Sequence, residues 1–68
     1  MEHSTAYNMI RGAILKARLR SETKATAHLN IFRLFPWEKV ELKEMGYTFY
    51  YSGAGYLLCD ITWENKNV

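Results

Sequence analysis

Apolar residues recur at helical spacing in the first part of the chain. Between Ser4 and Arg20 they fall three and four positions apart, which places them on one stripe of an amphipathic helix. Ser4 or Thr5 supplies the kind of hydroxyl that commonly caps a first turn. We therefore predict a helix from Ser4 to Arg20, with a stripe formed by Tyr7, Ile10, Ile14 and Ala17.

The next segment, from about Lys24 to Phe32, alternates apolar and polar residues as a half-buried strand does. The apolar members are Ala27, Leu29 and Ile31, and the polar members are Thr26, His28 and Asn30. We predict a strand, because these polar residues have low helix propensity. A helix stays open as the alternative, since Ala25, Leu29 and Phe32 also fit a helical stripe.

A proline and a glycine bracket the segment that follows. Pro36 suits the first position of a helix, Glu38 is favoured in a first turn, and Gly46 suits a left-handed residue after the last turn. We predict a short helix over Pro36–Met45. The alternation of apolar and charged residues at positions 39 to 43 leaves an edge strand as the alternative.

The last third of the chain has two runs rich in aromatic and β-branched residues, joined by a glycine-rich loop. Tyr47–Tyr51 and Tyr56–Trp63 are typical of strands, and Ser52–Gly55 is typical of a tight connection. We predict a β-hairpin. Along its second strand, alternation puts Cys59 and Ile61 on one face and the neighbouring residues on the other.

These elements predict one α+β domain of order α-β-α-β-β. Two helices would pack on one face of a three-stranded sheet and cover the side of the hairpin that carries Cys59. The other side, with Tyr50, Tyr56 and Leu58, would face solvent. The 68 residues suffice for a single domain, and we expect residues 64–68 to form a flexible tail.

Three motifs in the last third resemble those of small orphan accessory proteins of tailed bacteriophages. They are Leu42-Lys43-Glu44-Met45-Gly46-Tyr47-Thr48-Phe49, Gly55-Tyr56 and Asp60-Ile61-Thr62-Trp63. In those proteins a helix ends in Leu-x-x-x-Gly-Tyr, a hairpin follows, and the chain closes with Ile-x-Trp. The resemblance implies a viral accessory protein that binds a host factor, and it transfers no catalytic or binding residues.

The composition is that of a folded protein in a reducing compartment. Hydrophobic residues make up 49% of the chain and the formal net charge is +2, unlike the composition of disordered chains. Cys59 is the single cysteine, so no internal disulfide forms. No stretch approaches the roughly twenty apolar residues that cross a bilayer. We expect a cytoplasmic protein, located in the host cytoplasm if it is viral, with no membrane partner.

Residue types that often carry catalysis are present without the partners that catalysis needs. Cys59 lies in the apolar alternation of the last strand, and neither His3 nor His28 has a defined spacing to it, so we expect a buried thiol. Ser52–Gly55 lacks the Lys-Ser/Thr sequel of a phosphate-binding loop. The acidic row of the second helix is typical of a solvated face and consists of Glu38, Glu41 and Glu44. We predict no enzyme, no metal and no cofactor.

Basic residues concentrate in the first half of the chain. Residues 1–35 hold six Lys or Arg against two acids, a net charge of +4, whereas the remainder has a net charge of −2. Arg11 and Arg18 share one row of the first predicted helix. Lys16 and Arg20 share a second row, so the solvent side of this helix is basic. A basic helix beside a tyrosine-rich sheet is also the pattern of a nucleic-acid-binding module.

Aromatic residues are numerous for so short a chain, at 15% of all positions, and one buried face is too small for all of them. We predict a non-enzymatic interaction protein that binds and modulates a host protein. Its contact residues would be Tyr50, Tyr56 and Leu58, with Arg11, Arg18 and Arg20 steering an acidic partner. Two alternatives stay open: a nucleic-acid-binding module, and a homo-oligomer that holds a small anionic ligand between its subunits.

Overall fold

Two helices pack on one face of a three-stranded antiparallel sheet in the computed structural model, which describes residues 2–64 except for the side chain of Tyr56. In chain order the elements are α1 (Thr5–Leu19), β1 (Lys24–His28), α2 (Pro36–Glu44), β2 (Tyr47–Ser52) and β3 (Leu58–Trp63), with a short 3-10 turn, Ala54–Tyr56, before β3. The predicted α+β class and element order are confirmed. Of the predicted tail, Glu64 is exposed, and residues 65–68 lie outside the described residues.

A serine caps the start of α1. The Oγ of Ser4 accepts a hydrogen bond from the backbone amide of Tyr7 at 3.1 Å, which satisfies one of the amides that a first turn leaves free. The predicted stripe is buried along its whole length. At the other end, Arg20 caps the helix and Ser21 has a φ of 60°. Each bound of α1 lies one residue inside the predicted range.

The strand β3 lies in the centre of the sheet, antiparallel to both β1 and β2. The register places Cys59 between Ala27 and Tyr51. Cys59 and Ile61, which share a face of β3, are completely buried. They belong to one core with Tyr7, Ile10 and Ile14 of α1 and with Leu42 of α2. The prediction that the helices cover this side of the hairpin is confirmed.

The predicted strand over 24–32 is wrong in its second half, because β1 ends at His28. The amide of Leu29 still donates to the carbonyl of Leu57 at 2.8 Å, but Asn30 has a φ of 58° and turns the chain out of the sheet. Ile31, an apolar member of the alternation, is consequently 79% exposed. Over residues 24–28 the strand is present and the helical alternative is not.

A proline and a glycine delimit α2, as predicted. Pro36 lies in its first turn, and the chain leaves the helix at Gly46, which has a φ of +98°. L side chains rarely adopt that φ, so glycine ends the helix without strain. The helix is confirmed against the edge-strand alternative, and it ends at Glu44, one residue earlier than predicted.

The predicted hairpin is confirmed, with β3 beginning at Leu58 rather than at Tyr56. Gly53 and Gly55 have φ angles of 81° and 70° in the connection. Two left-handed residues so close together favour a short 3-10 turn over continued strand pairing. The connection therefore takes up two residues that the sequence pattern had assigned to the second strand.

The expectation that the acidic row of α2 is solvated is wrong for Glu38. Glu44 is exposed, but Glu38 is completely buried between the starts of the two helices. The Glu38 carboxylate accepts hydrogen bonds from the hydroxyl of Ser4 at 2.6 Å, the amide of Ser4 at 2.7 Å and the amide of Phe35 at 2.9 Å. A local charge pattern misses this arrangement because Ser4 lies 34 residues away along the chain.

The surroundings of Glu38 hold α1 against α2. Burial by itself would raise the pKa of Glu38, but the hydrogen bonds from Ser4, Phe35 and His3 outweigh that effect, and the pKa is lowered. The ring of His3 also stacks on Tyr7, with 3.6 Å between centroids. We call this group the helix clasp and define it by His3, Ser4, Tyr7, Glu38 and Glu41, the last of which accepts a hydrogen bond from the Tyr7 hydroxyl.

Candidate interaction surface

A shallow groove of about 1320 Å³ follows the outer edge of β1. Side chains of α1 line it on the covered face of the sheet, β1 forms the edge between the two faces, and Tyr50 of β2 lines it on the open face. We call it the β1 groove and define it by Lys16, Arg20, Lys24, Thr26, His28 and Tyr50.

The wall on α1 follows from helical spacing. Lys16 and Arg20 lie four positions apart and therefore point from the same row of the helix. Beside that row, Ala13 and Ala17 have short side chains that let α1 approach β1, the strand on which it packs most extensively. The two cations thus stand directly along the strand edge.

Tyr50 stands on the open face of the sheet and is 63% exposed. It lies across from Asp60 of β3. The Asp60 carboxylate accepts hydrogen bonds from Thr26 Oγ1 at 2.8 Å and from Ser52 Oγ at 3.0 Å, so both its oxygens are engaged within the sheet. Among the described side chains of this face, the ring of Tyr50 is the large apolar group most exposed to solvent.

The cations of the β1 groove have no acidic partner within salt-bridge distance among residues 2–64, where the only such contacts join His3 to Glu38 and Glu41 of the helix clasp. Lys16, Arg20 and Lys24 are exposed. The acids that line the groove are Glu22 and Asp60, and Asp60 is already engaged by its neighbours. The balance of charge along the groove is therefore positive.

The six contact residues predicted from the sequence do not form one surface. Tyr50 and Leu58 lie on the open face, whereas α1, which carries or adjoins the three arginines, covers the opposite face. Among those arginines, Arg20 lines the β1 groove. Leu58 is half-buried against Gly53. The side chain of Tyr56 lies outside the described residues.

Arg11 and Arg18 lie on the side of α1 that faces away from the β1 groove, as their helical positions require. Arg18 donates a hydrogen bond to the hydroxyl of Tyr47 at 3.0 Å, and its guanidinium lies 5.9 Å from the centre of the Trp63 ring. The guanidinium of Arg11 lies 6.0 Å from the centre of the Tyr7 ring. These contacts make both arginines part of the packing between α1 and its neighbours.

Known proteins give no assignment for this groove. No family model, curated protein or solved structure matches the chain. The resemblance of the last third to phage accessory proteins stays a prediction, and the role of the groove rests on its own residues.

Three residues of the groove, Lys24, Thr26 and His28, were not among the contact residues predicted from the sequence. A signal for Thr26 and His28 was present, because their alternation with Ala27 predicted a shared polar face. No pattern along the chain indicates that β1 is an edge strand, since that depends on β3 pairing between β1 and β2. The groove is therefore a consequence of sheet order.

Cys59 is buried, as expected, and is not available as a nucleophile. Burial, with a smaller contribution from the charge of Asp60, raises the pKa of the Cys59 thiol to about 11. The thiol is therefore protonated at neutral pH, whereas the thiolate is the reactive form.

The helix clasp contains a serine, a histidine and two carboxylates, but its geometry does not suit nucleophilic catalysis. The hydroxyl of Ser4 donates to Glu38, so it is not aligned to give its proton to His3. Residues 2–64 contain no group of three or more His, Cys, Asp or Glu side chains placed to hold a metal ion. In the same range, neither helix has the length and apolar content that crossing a bilayer requires.

Proposed function

We propose that the chain is a non-enzymatic interaction protein that binds an acidic segment of a partner protein through the β1 groove. The observation that carries the proposal is the row of exposed cations along the edge of β1, Lys16, Arg20 and Lys24, which have no acidic partner within salt-bridge distance among residues 2–64. The exposed Tyr50 lies on the open face of the same sheet. Tyrosine contributes a large contact area with little loss of side-chain entropy. The cations along the edge of β1 accelerate encounter with an acidic surface and select against basic ones.

A protein partner is favoured over a nucleic acid by the placement of the aromatic residues. Binding of single strands uses several rings on which successive bases stack. Among the described side chains, the β1 groove presents one tyrosine, while Tyr7, Tyr47 and Trp63 are engaged with Arg11 and Arg18 on the other side of α1. The basic row and the stacking surface are therefore separated.

The resemblance to phage accessory proteins extends the proposal to a bacterial host protein, bound and modulated in the host cytoplasm. This extension is supported by the residues of the last third quoted above and by no other observation. The β1 groove is the surface we assign to that contact.

The proposal is tested by capture from a bacterial lysate with matched variants. Tyr50→Ala, and the double variant Lys16→Glu with Arg20→Glu, should each reduce retention of a captured protein at least about tenfold, the effect expected for central contact residues. Val40→Ala and Lys43→Glu change exposed residues of α2 outside the groove and should leave retention unchanged. Equal retention by the groove variants and the wild type would refute the proposal.

A parallel titration separates protein binding from nucleic-acid binding. Labelled single-stranded and duplex DNA and RNA are added at low and high salt. We expect no saturable binding. Binding at low salt that weakens steeply with added salt and is lost in the Lys16→Glu, Arg20→Glu variant would replace the proposed partner with a nucleic acid.

A further inference from the structure

Half of the backbone groups of β1 point out of the sheet into the β1 groove. In antiparallel pairing, residues alternate between those that exchange hydrogen bonds with the partner strand and those that face away. The amide of Trp63 donates to the carbonyl of Thr23, and the amide of Leu29 donates to the carbonyl of Leu57. By alternation along the register, Ala25 and Ala27 bond to β3, whereas Lys24, Thr26 and His28 face the free edge.

The outward residues are also accessible. Lys24, Thr26 and His28 are all exposed, and the groove runs along the whole of β1. Natural sheets block free edges with prolines, bulges, charged residues or short strands. The edge of β1 has no proline or bulge, and its protection consists of its five-residue length and Lys24. A single lysine repels another basic edge but attracts an acidic one.

We propose that the β1 groove accepts one extended acidic segment of the partner protein as a fourth strand, hydrogen-bonded to the outward groups of Lys24, Thr26 and His28. This inference rests on the proposed function and names its binding mode, which is strand addition to a sheet edge. Main-chain hydrogen bonds would supply affinity, and Lys16, Arg20 and Lys24 would select acidic side chains on the added strand.

Charge favours an acidic segment over a second copy of this chain. Two β1 edges pairing around a twofold axis at Thr26 would place Lys24 beside His28 of the second copy. The two α1 helices would then meet on the same face of the joined sheet, with Lys16 and Arg20 of each copy close to those of the other. Four like charges along one seam oppose that pairing.

Amide hydrogen exchange in the whole protein tests the backbone geometry and the binding mode together. In the free protein, the amides of Lys24, Thr26 and His28 should exchange much faster than those of Ala25 and Ala27. The probe is a synthetic blocked peptide, Thr-Glu-Glu-Val-Glu-Glu-Thr, which carries glutamates on both faces of an extended strand. At saturation it should slow exchange of the Thr26 amide at least about tenfold, because that amide gains a hydrogen bond.

Modified peptides and a matched pair of variants isolate the backbone contact. N-methylation of every second amide, made in both registers, should abolish binding in one register and spare it in the other, because one edge of the peptide faces β1. A peptide with lysine in place of glutamate should not bind. Lys24→Glu should weaken binding of the acidic peptide at least about tenfold, whereas Lys43→Glu should leave it unchanged.

Four outcomes would overturn strand addition. The first three are absence of binding at millimolar peptide, equal binding by both methylated peptides, and binding without protection of the Thr26 amide. The fourth is protection that grows with protein concentration in the absence of peptide. That last result would assign the edge to a second copy of the chain. Loss of partner capture in the groove variants together with an unprotected Thr26 amide would refute strand addition and leave the proposed function standing. If the groove variants capture the partner as well as the wild type does, the proposed function itself is refuted.

Discussion

The carboxylate of Glu38, in the first turn of α2, accepts hydrogen bonds from both the hydroxyl and the backbone amide of Ser4, the residue that caps α1. The same carboxylate accepts a hydrogen bond from the backbone amide of Phe35, at the start of α2. One buried side chain therefore satisfies amides at the first turns of both helices.

Glu38→Gln should destabilise the protein by about 2 kcal/mol or more, because the amide nitrogen cannot accept the hydrogen bonds that the carboxylate now receives. The exposed Glu44→Gln is the matched control and should change stability by less than about 0.5 kcal/mol. Urea unfolding followed by circular dichroism measures both. Coinciding unfolding midpoints for the two variants would show that the Ser4 contacts contribute little.

Stability should fall as the solution is acidified below about pH 4.5, the ordinary pKa of a glutamate. The folded state lowers the pKa of Glu38, so the unfolded chain binds its proton first. The contribution of Glu38 is therefore complete above the unfolded pKa and is lost as the pH falls through the folded one.

Measuring the free energy of unfolding from neutral to acidic pH tests this dependence. The curve of Glu38→Gln should be flatter than that of the wild type in the acidic range. Parallel curves would assign the acid sensitivity to other carboxylates.

Cys59 should resist thiol reagents in the folded protein. Its pKa of about 11 and its burial leave little accessible thiolate at about pH 8. The reaction with a chromogenic disulfide should run at least about a hundredfold slower than in concentrated guanidinium chloride, because it requires an opening of the core. Equal rates in the two conditions would contradict the buried position of the thiol.

Removing the hydroxyl of Tyr51 and removing that of Tyr7 should have opposite effects on the free energy of unfolding. Among residues 2–64 the buried hydroxyl of Tyr51 has no partner at full hydrogen-bond geometry and only a weaker approach to the backbone of Leu34, so Tyr51→Phe should leave stability unchanged or raise it by up to about 1 kcal/mol. The hydroxyl of Tyr7 donates to Glu41, so Tyr7→Phe should lower stability by about 1 kcal/mol. Urea unfolding of the pair provides the comparison, and a greater loss for Tyr51→Phe would reverse the assignment.

Local rules were enough for most of the fold. The Tyr7–Ala17 stripe, the pair Pro36 and Gly46, and the glycines after Ser52 each act through near neighbours, so the elements that they predict are present. The end of β1 was missed because alternation continues past Asn30, and a single left-handed residue ends the pairing there. The pattern of apolar and polar residues does not predict such a turn.

The candidate site was predictable only in part. Alternation placed Tyr50 on the open face, and helical spacing placed Arg20 on the basic row of α1. The separation of Arg18 from Tyr50 depends on which face of the sheet α1 covers. The burial of Glu38 depends on a contact across 34 positions. Both are tertiary relationships, which the spacing of residues along the chain does not predict.

The central position of β3 has a consequence for synthesis on the ribosome. β1 and β2 pair only with β3, which follows both of them along the chain. The nascent polypeptide can therefore form its helices early, but no strand can pair until residues 58–63 emerge. We expect the sheet to assemble in a single late step, and a ribosome-bound fragment stalled before Leu58 to be recognised by chaperones as unfolded.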